Sequence, residues 1–174
     1  FRDNLNATFP GWNSTTLSAL VLGAGGGGLA IVYALVQEGV KEIVITNRSQ
    51  ERAEQIADIF KDQNIQVRPW NERHSLVADS DLIVNTTNQG MVGQTPLDLS
   101  LELAKLGAIV ADIIYVPLET ALIRDAKSRG LRTVGGLGML LHQSRPAWQL
   151  WFGIDPQISS HLRSAMERDI NEDI

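Results

Sequence analysis

Six consecutive residues decide most of what this chain can become. Gly23-Ala24-Gly25-Gly26-Gly27-Gly28 lies between a β-leaning apolar run, Leu17 to Leu22, and a segment from Leu29 to Leu35 whose apolar residues keep helical spacing. Glycine has no Cβ, so such a run lets the backbone leave a strand, turn sharply and open a helix with its first amides bare. Gly23, Gly25 and Gly28 satisfy G-x-G-x-x-G, a pattern whose amides and positive helix end suit a pyrophosphate. The competing reading is a flexible loop with no ligand. It leaves unexplained why so much glycine sits where it weakens a helix start.

The rest of the chain supplies the context that the motif needs. Gly39 stops the first helix, and Glu42 to Thr46 (EIVIT) is rich in β-branched residues and reads as a buried strand. Ser49 is placed to cap a helix carrying Ala53, Ile56, Ala57 and Phe60 on one face. Ile65 to Arg68 predicts a weak strand, whereas Asp81 to Asn85 and Ala108 to Tyr115 predict strong ones. Thr120 to Arg129 is a helix closed by Gly130, Leu131 to Val134 is a short strand, and helices follow at Met139 to Trp151 and Ser159 to Arg168. Alternating strands and helices with right-handed crossovers give an α/β fold: a doubly wound (Rossmann-type), mostly parallel sheet with helices on both faces. Phe1 to Asn13 reads as irregular, the end of a connecting helix. We therefore assign residues 1–16 to a connecting segment from an upstream domain and residues 17–174 to a dinucleotide-binding domain with C-terminal helices. The start at Phe1, without an initiator Met, fits a piece of something longer.

Composition removes several function classes. The 174 residues contain no cysteine, which excludes disulfides, thiolate metal sites and cysteine nucleophiles. A net charge of −5 argues against nucleic acid and anionic membranes as partners. No apolar run approaches the ~20 residues needed to cross a bilayer. His74, His142 and His161 are not paired with carboxylates at metal-ligand spacing, so no metal is expected.

The end of the second strand decides which dinucleotide fits. An NAD site places Asp or Glu there, about 20 residues beyond the glycines, to hold the ribose 2′-hydroxyl. Here stand Asn47, Arg48 and Ser49, with Arg52 in the next turn. A carboxylate would repel a 2′-phosphate, while guanidinium groups beside a fresh helix N-terminus would hold one, so NADP is the expected cofactor. The alternative is that Arg48 and Arg52 are ordinary solvated surface residues.

Taken together, GAGGGGLA from Gly23, NRSQERA from Asn47, NTTNQGM from Asn85, DIIYVPLET from Asp112 and GGLGMLLHQ from Gly135 resemble the cofactor domain of shikimate dehydrogenase. The likeness runs in order from roughly Leu20 to Gly153. It implies NADP(H)-dependent interconversion of 3-dehydroshikimate and shikimate, in aromatic amino acid biosynthesis in the cytoplasm. By position, it implies that Gly23, Ala24, Gly25, Gly26 and Gly27 cradle the pyrophosphate and that Asn47, Arg48, Ser49 and Arg52 hold the 2′-phosphate. Asn85 and Thr86 would border the cofactor, Ile113, Gly136 and Met139 would line the nicotinamide, and Tyr115 and Gln143 would reach the substrate. The plainer reading makes Asn85 a strand terminator, Ile113 core, Tyr115 a structural phenol and Gln143 a solvated helix residue. Two departures stand out. The family has Ala where Gly27 and Gly28 stand, which predicts a looser loop, and Asp where Gly135 stands.

Oxidising a secondary alcohol also needs a group that takes the hydroxyl proton. The resemblance assigns that work to a Lys–Asp pair in an N-terminal substrate domain, and neither residue is matched here. Lys41, Lys61, Lys105 and Lys127 all fall away from the carboxyl ends of predicted strands, where the chemistry of such sheets gathers. The expectation is a chain that binds NADP, shares shikimate with a missing domain, contains no catalytic residue of its own and does not turn over alone. A homodimer is compatible with it. The competing functions are a quinate/shikimate dehydrogenase preferring NAD and a non-catalytic NADP-binding regulatory module.

Overall fold

The computed structural model describes residues 1–172. Six strands, β1 (Ser18–Leu22), β2 (Glu42–Asn47), β3 (Ile65–Pro69), β4 (Leu82–Asn85), β5 (Ile109–Asp112) and β6 (Arg132–Val134), form one sheet in the order β3-β2-β1-β4-β5-β6. Every neighbouring pair is parallel. The helices are α1 (Arg2–Thr8), α2 (Trp12–Thr15), α3 (Gly26–Gln37), α4 (Gln50–Ile59), α5 (Arg73–Leu76), α6 (Ala121–Ser128), α7 (Gly136–Phe152) and α8 (Ser160–Glu172).

The strands read as unbroken apolar runs because both faces of the sheet are covered. Leu20, Ile83 and Val110 are register partners across β1, β4 and β5 and point to one face. There they meet Val77, Leu97, Leu101 and the α6 residues Leu122 and Ala126. Ala19, Val21, Ile43, Ile45, Leu82 and Val84 point to the other, against Ile31, Val32 and Leu35 of α3 and Ala53 and Ile56 of α4. Two-residue alternation along each strand divides the core into these two layers.

The first residues differ from expectation. Phe1 to Asn13 is not irregular: α1 and the start of α2 occupy it, and Leu5 and Trp12 are fully buried in the layer beneath α3. Phe1, Leu5 and Phe9 do recur at helical spacing, but Pro10 and Gly11 cut the pattern short and leave helices of only seven and four residues. The helix after Gly135 also begins earlier than Met139, and Ser49, although it is the residue preceding α4, makes no capping bond with its side chain.

Between β4 and β5 the crossover, residues 86–108, contains no helix or strand. Its course is fixed by polar contacts at its far end. The Ser100 N–H donates to His74 Nδ1 (3.1 Å), Arg73 pairs with Asp98, and Lys105 Nζ lies 2.8 Å from Asp81 Oδ1. Among the described residues, no helix is long and apolar enough to cross a membrane.

Candidate functional site

After β1 the chain turns onto one face of the sheet, and after β4 it turns onto the other, so a crevice opens between their carboxyl ends. The glycine turn sits there. Gly23 takes φ +108°, a conformation reserved for glycine, and a Cβ on it would lie 2.7 Å from Thr86 Oγ1. Thr86 Oγ1 donates to the Leu22 carbonyl (2.9 Å), tying the end of β1 to the strand beside it. Gly25 precedes α3, whose first turn receives no side-chain cap, and a Cβ on Gly25 or Gly26 would meet nothing within 4 Å. Bare amides, open space and the positive end of a twelve-residue helix therefore face outward together.

Gly27 and Gly28 do not loosen this turn. A Cβ at Gly28 would fall 2.4 Å from the Gly23 carbonyl oxygen, and one at Gly27 would fall 2.8 Å from Ile113 Cδ1. The missing methyls are taken up by closer packing, which corrects the expectation of a slack loop.

Asn47, at the end of β2, links the turn to the next βα junction. Its Oδ1 accepts the Ala24 N–H (3.2 Å) while its Nδ2 donates to the Ser49 carbonyl (2.8 Å). Arg48, Ser49 and Arg52 are exposed beside it, and among the described residues neither arginine makes a hydrogen bond or an ion pair. Arg52 lines a cleft of about 340 Å³ with Ala24, Gly25, Gly26 and Leu29. Glycine turn, asparagine brace and uncommitted cations thus share one rim.

A second cleft, about 440 Å³, lies beyond β4 and β5 and is lined by Thr86, Thr87, Asn88, Met91, Ile113, Ile114, Tyr115 and Val116. Tyr115 is 41% exposed in it. Asn85 stands behind, fully buried, with Nδ2 donating to Asp112 Oδ1 (3.1 Å) and Oδ1 accepting from Thr87 Oγ1 (2.7 Å) and the Thr87 N–H (3.0 Å). Asp112 also accepts from the Ile114 N–H (3.1 Å) and, through Oδ2, from Thr120 Oγ1 (2.8 Å). Burial outweighs these bonds and pushes the Asp112 carboxyl up to about 6. Sequence reasoning passed over Asp112 and Thr120; the signal was an acid closing a buried strand, eight residues before a helix-capping threonine.

The start of α7 backs this cleft. A Cβ on Gly136 would lie 2.2 Å from the Ile113 carbonyl oxygen, and its N–H donates to the Ile114 carbonyl (3.1 Å). Ile113 and Gly136 are thus in close backbone contact. Met139, one turn further along α7, packs against the same core layer as Ile113 and lines a neighbouring cleft with Phe1, Ala30, Tyr33 and Gln37. Gln143 is exposed two turns along α7. His142, also on α7, has its Nδ1 buried without a hydrogen bond, 4.0 Å from Asp3 Oδ2, and burial lowers its pKa. Lys105 and Lys127 are held by Asp81 and Glu119. Among the described residues, no group of three or more His, Asp or Glu side chains is placed to hold a metal.

This strand order, with a glycine turn at its crevice and a braced asparagine beside it, places the chain in the doubly wound (Rossmann-type) α/β class. A family model for shikimate / quinate 5-dehydrogenase matches residues 6–106. The chain belongs to that family. It is 46% identical over 170 residues to a shikimate dehydrogenase (NADP(+)) of Rhodopseudomonas palustris, covering 98% of this chain and 59% of the relative. The quinate dehydrogenase of Corynebacterium glutamicum, solved in complex with NAD, superposes with a TM-score of 0.84 at 25% identity, over 99% of this chain and 60% of that one. The shikimate 5-dehydrogenase of Thermus thermophilus, solved with NADP(H) and shikimate, gives 0.76 at 31% identity, over 100% and 60%. The chain therefore spans about three fifths of the length of these relatives.

Proposed function

We propose that this chain is the NADP(H)-binding part of a shikimate dehydrogenase, an oxidoreductase interconverting 3-dehydroshikimate and shikimate. The observation that carries the reading is the rim where Asn47 braces the Ala24 amide while Arg48 and Arg52 have no side-chain partner among the described residues. The residues present fit the cofactor: the outward faces of Gly25 and Gly26 leave room for a pyrophosphate at the α3 N-terminus. NADP(H), when bound, supplies the hydride acceptor or donor. Arg48 and Arg52 hold the 2′-phosphate, and Ile113, seated against Gly27 and Gly136, forms an apolar wall for the nicotinamide. Tyr115 presents a phenol to the substrate side of the same cleft.

None of the cleft's lining residues Thr86, Thr87, Asn88, Met91, Ile113, Ile114, Tyr115 and Val116 is a lysine, histidine or carboxylate. That lining offers none of these as a base for the substrate hydroxyl, and in this reading the proton is handled by a second domain which shares the substrate. The test is a titration of the chain with NADP and NAD. Removing a charge-assisted hydrogen bond worth about 1.5–3 kcal/mol, Arg48→Ala weakens NADP roughly ten- to a hundredfold and leaves NAD unchanged. Equal losses for both dinucleotides would defeat the 2′-phosphate assignment. The second reading is an NAD-preferring quinate dehydrogenase, favoured by the likeness to the Corynebacterium enzyme; tighter binding of NAD by the unaltered chain would select it.

A further inference from the structure

One buried carboxylate fastens both walls of the larger cleft to each other without lining it. Asp112, 3% exposed, closes β5 and takes donors from three places: Asn85 at the end of β4, the Ile114 amide, and Thr120 at the start of α6. Asn85 passes the constraint on to Thr87, and its Nδ2 also donates to the Gln89 carbonyl (3.2 Å). The segment carrying Thr86, Thr87 and Asn88 and the segment carrying Ile113, Ile114 and Tyr115 are therefore joined by this side-chain amide–carboxylate contact in addition to the backbone bond from the Ile113 N–H to the Asn85 carbonyl (3.2 Å).

The chemistry of that contact has a directional consequence. An ionised carboxylate only accepts, so Asn85 must turn Nδ2 toward Asp112 and Oδ1 toward Thr87. The Gln89 carbonyl and the Thr87 N–H hold the same orientation, since reversal would set Asn85 Oδ1 against an acceptor and Nδ2 against a donor; Asp112 ties that oriented amide to the Ile114 amide and to Thr120. Gluing two strands together does not call for a carboxylate, because an apolar pair of similar volume does so without desolvating one. Holding donors from three separate segments at one point calls for a group with several acceptor positions, which a carboxylate supplies.

We propose that Asp112 is a positioning residue, acting through Asn85 and Thr87 to set the shape of the nicotinamide end of the cleft. The proposal rests on the reading of this cleft as part of an NADP(H) site. The adenosine end is formed by other elements, β2 and α4, so the two ends can be tested separately in the same chain. NADPH emission and affinity report the nicotinamide end, and adenosine 2′,5′-bisphosphate, which has no nicotinamide, reports the other.

Asp112→Ala is expected to abolish the change in NADPH emission on binding and to weaken NADPH about tenfold, the worth of one or two hydrogen bonds. Binding of adenosine 2′,5′-bisphosphate stays within about twofold. Asp112→Asn, which keeps one acceptor oxygen, restores most of the emission change. Equal loss of both ligands, or no loss of either, would overturn the proposal. Where Asp112→Ala does not fold, Thr120→Val decides: it removes one donor to Asp112 from outside the cleft lining, and it must reproduce the same split in smaller measure or the proposal fails. An unaltered chain that binds neither ligand refutes the dinucleotide reading itself and takes this inference with it, whereas an unaltered chain that binds both leaves only the role of Asp112 at stake.

Discussion

Adding one methyl group at Gly136 tests how α7 is seated behind the cleft. The Cβ of an alanine there would lie 2.2 Å from the Ile113 carbonyl oxygen and 2.5 Å from that of Ile114, where ordinary contact begins at 3.4 Å. Both obstacles are backbone, so no side-chain rotation relieves them, and the start of α7 must move by more than 1 Å. Overpacking of this kind costs about 1–3 kcal/mol. The shift also strains the bond from the Gly136 N–H to the Ile114 carbonyl, worth about 1 kcal/mol more. Gly136→Ala should therefore lose about 2–4 kcal/mol, lowering Tm by roughly 5–15 °C for a chain of this size. Urea unfolding followed by far-UV circular dichroism reads the difference directly. The adjacent position is the control. Gly135 precedes α7 in an extended conformation (φ −88°), no side chain caps the helix, and a Cβ there meets only the Leu118 carbonyl oxygen at 3.5 Å. Gly135→Asp should raise stability by about 0.5–1 kcal/mol by capping α7 and restricting the unfolded chain. Should Gly136→Ala unfold within about 0.5 kcal/mol of the unaltered chain, the close seating of α7 on β5 is wrong.

Two further outcomes follow from the same geometry. Gly26→Ala adds a methyl into open space at the first turn of α3, so helix propensity keeps the fold intact or stabilises it by up to about 1 kcal/mol, while the methyl obstructs the pyrophosphate. Unimpaired NADP binding by Gly26→Ala in isothermal titration would remove the cradle assignment. The Asp112 carboxyl, raised to about 6 from an unfolded value near 3.8, is favoured in the fold when protonated; its contribution is full below the unfolded value and lost as pH rises through about 6. Between pH 5 and pH 7.5 that loss is about 1–1.5 kcal/mol, and Asp112→Asn should remove this part of the pH dependence in urea unfolding.

The sequence alone determined the elements whose signals are local. The glycine turn, the β-branched strands and the helix stops at Gly39 and Gly130 declare themselves within a few residues, because backbone freedom and two-residue burial alternation are properties of short stretches. The positions of Asn47, Arg48 and Arg52 were legible for the same reason, since the distance from the glycine turn to the end of the next strand is set by one helix and one strand. Other facts required the fold. The burial of Leu5 and Trp12 shows only once α1 is packed against α7 and β6, where both side chains join the core layer that α3 covers. Met139 and Gln143 lie three and seven residues beyond Gly136 on the same side of α7, about 4.5 and 10.5 Å further along its axis, and only the packing of α7 decides that Met139 lines a cleft with Phe1 and Tyr33 while Gln143 stays exposed. Asp112 is separated from Asn85 by 27 residues, and only the pairing of β4 with β5 brings them together. Tertiary structure alone could decide these relations: a contact between distant segments depends on register and on which face each side chain takes, and neither is written into the neighbourhood of the residue concerned.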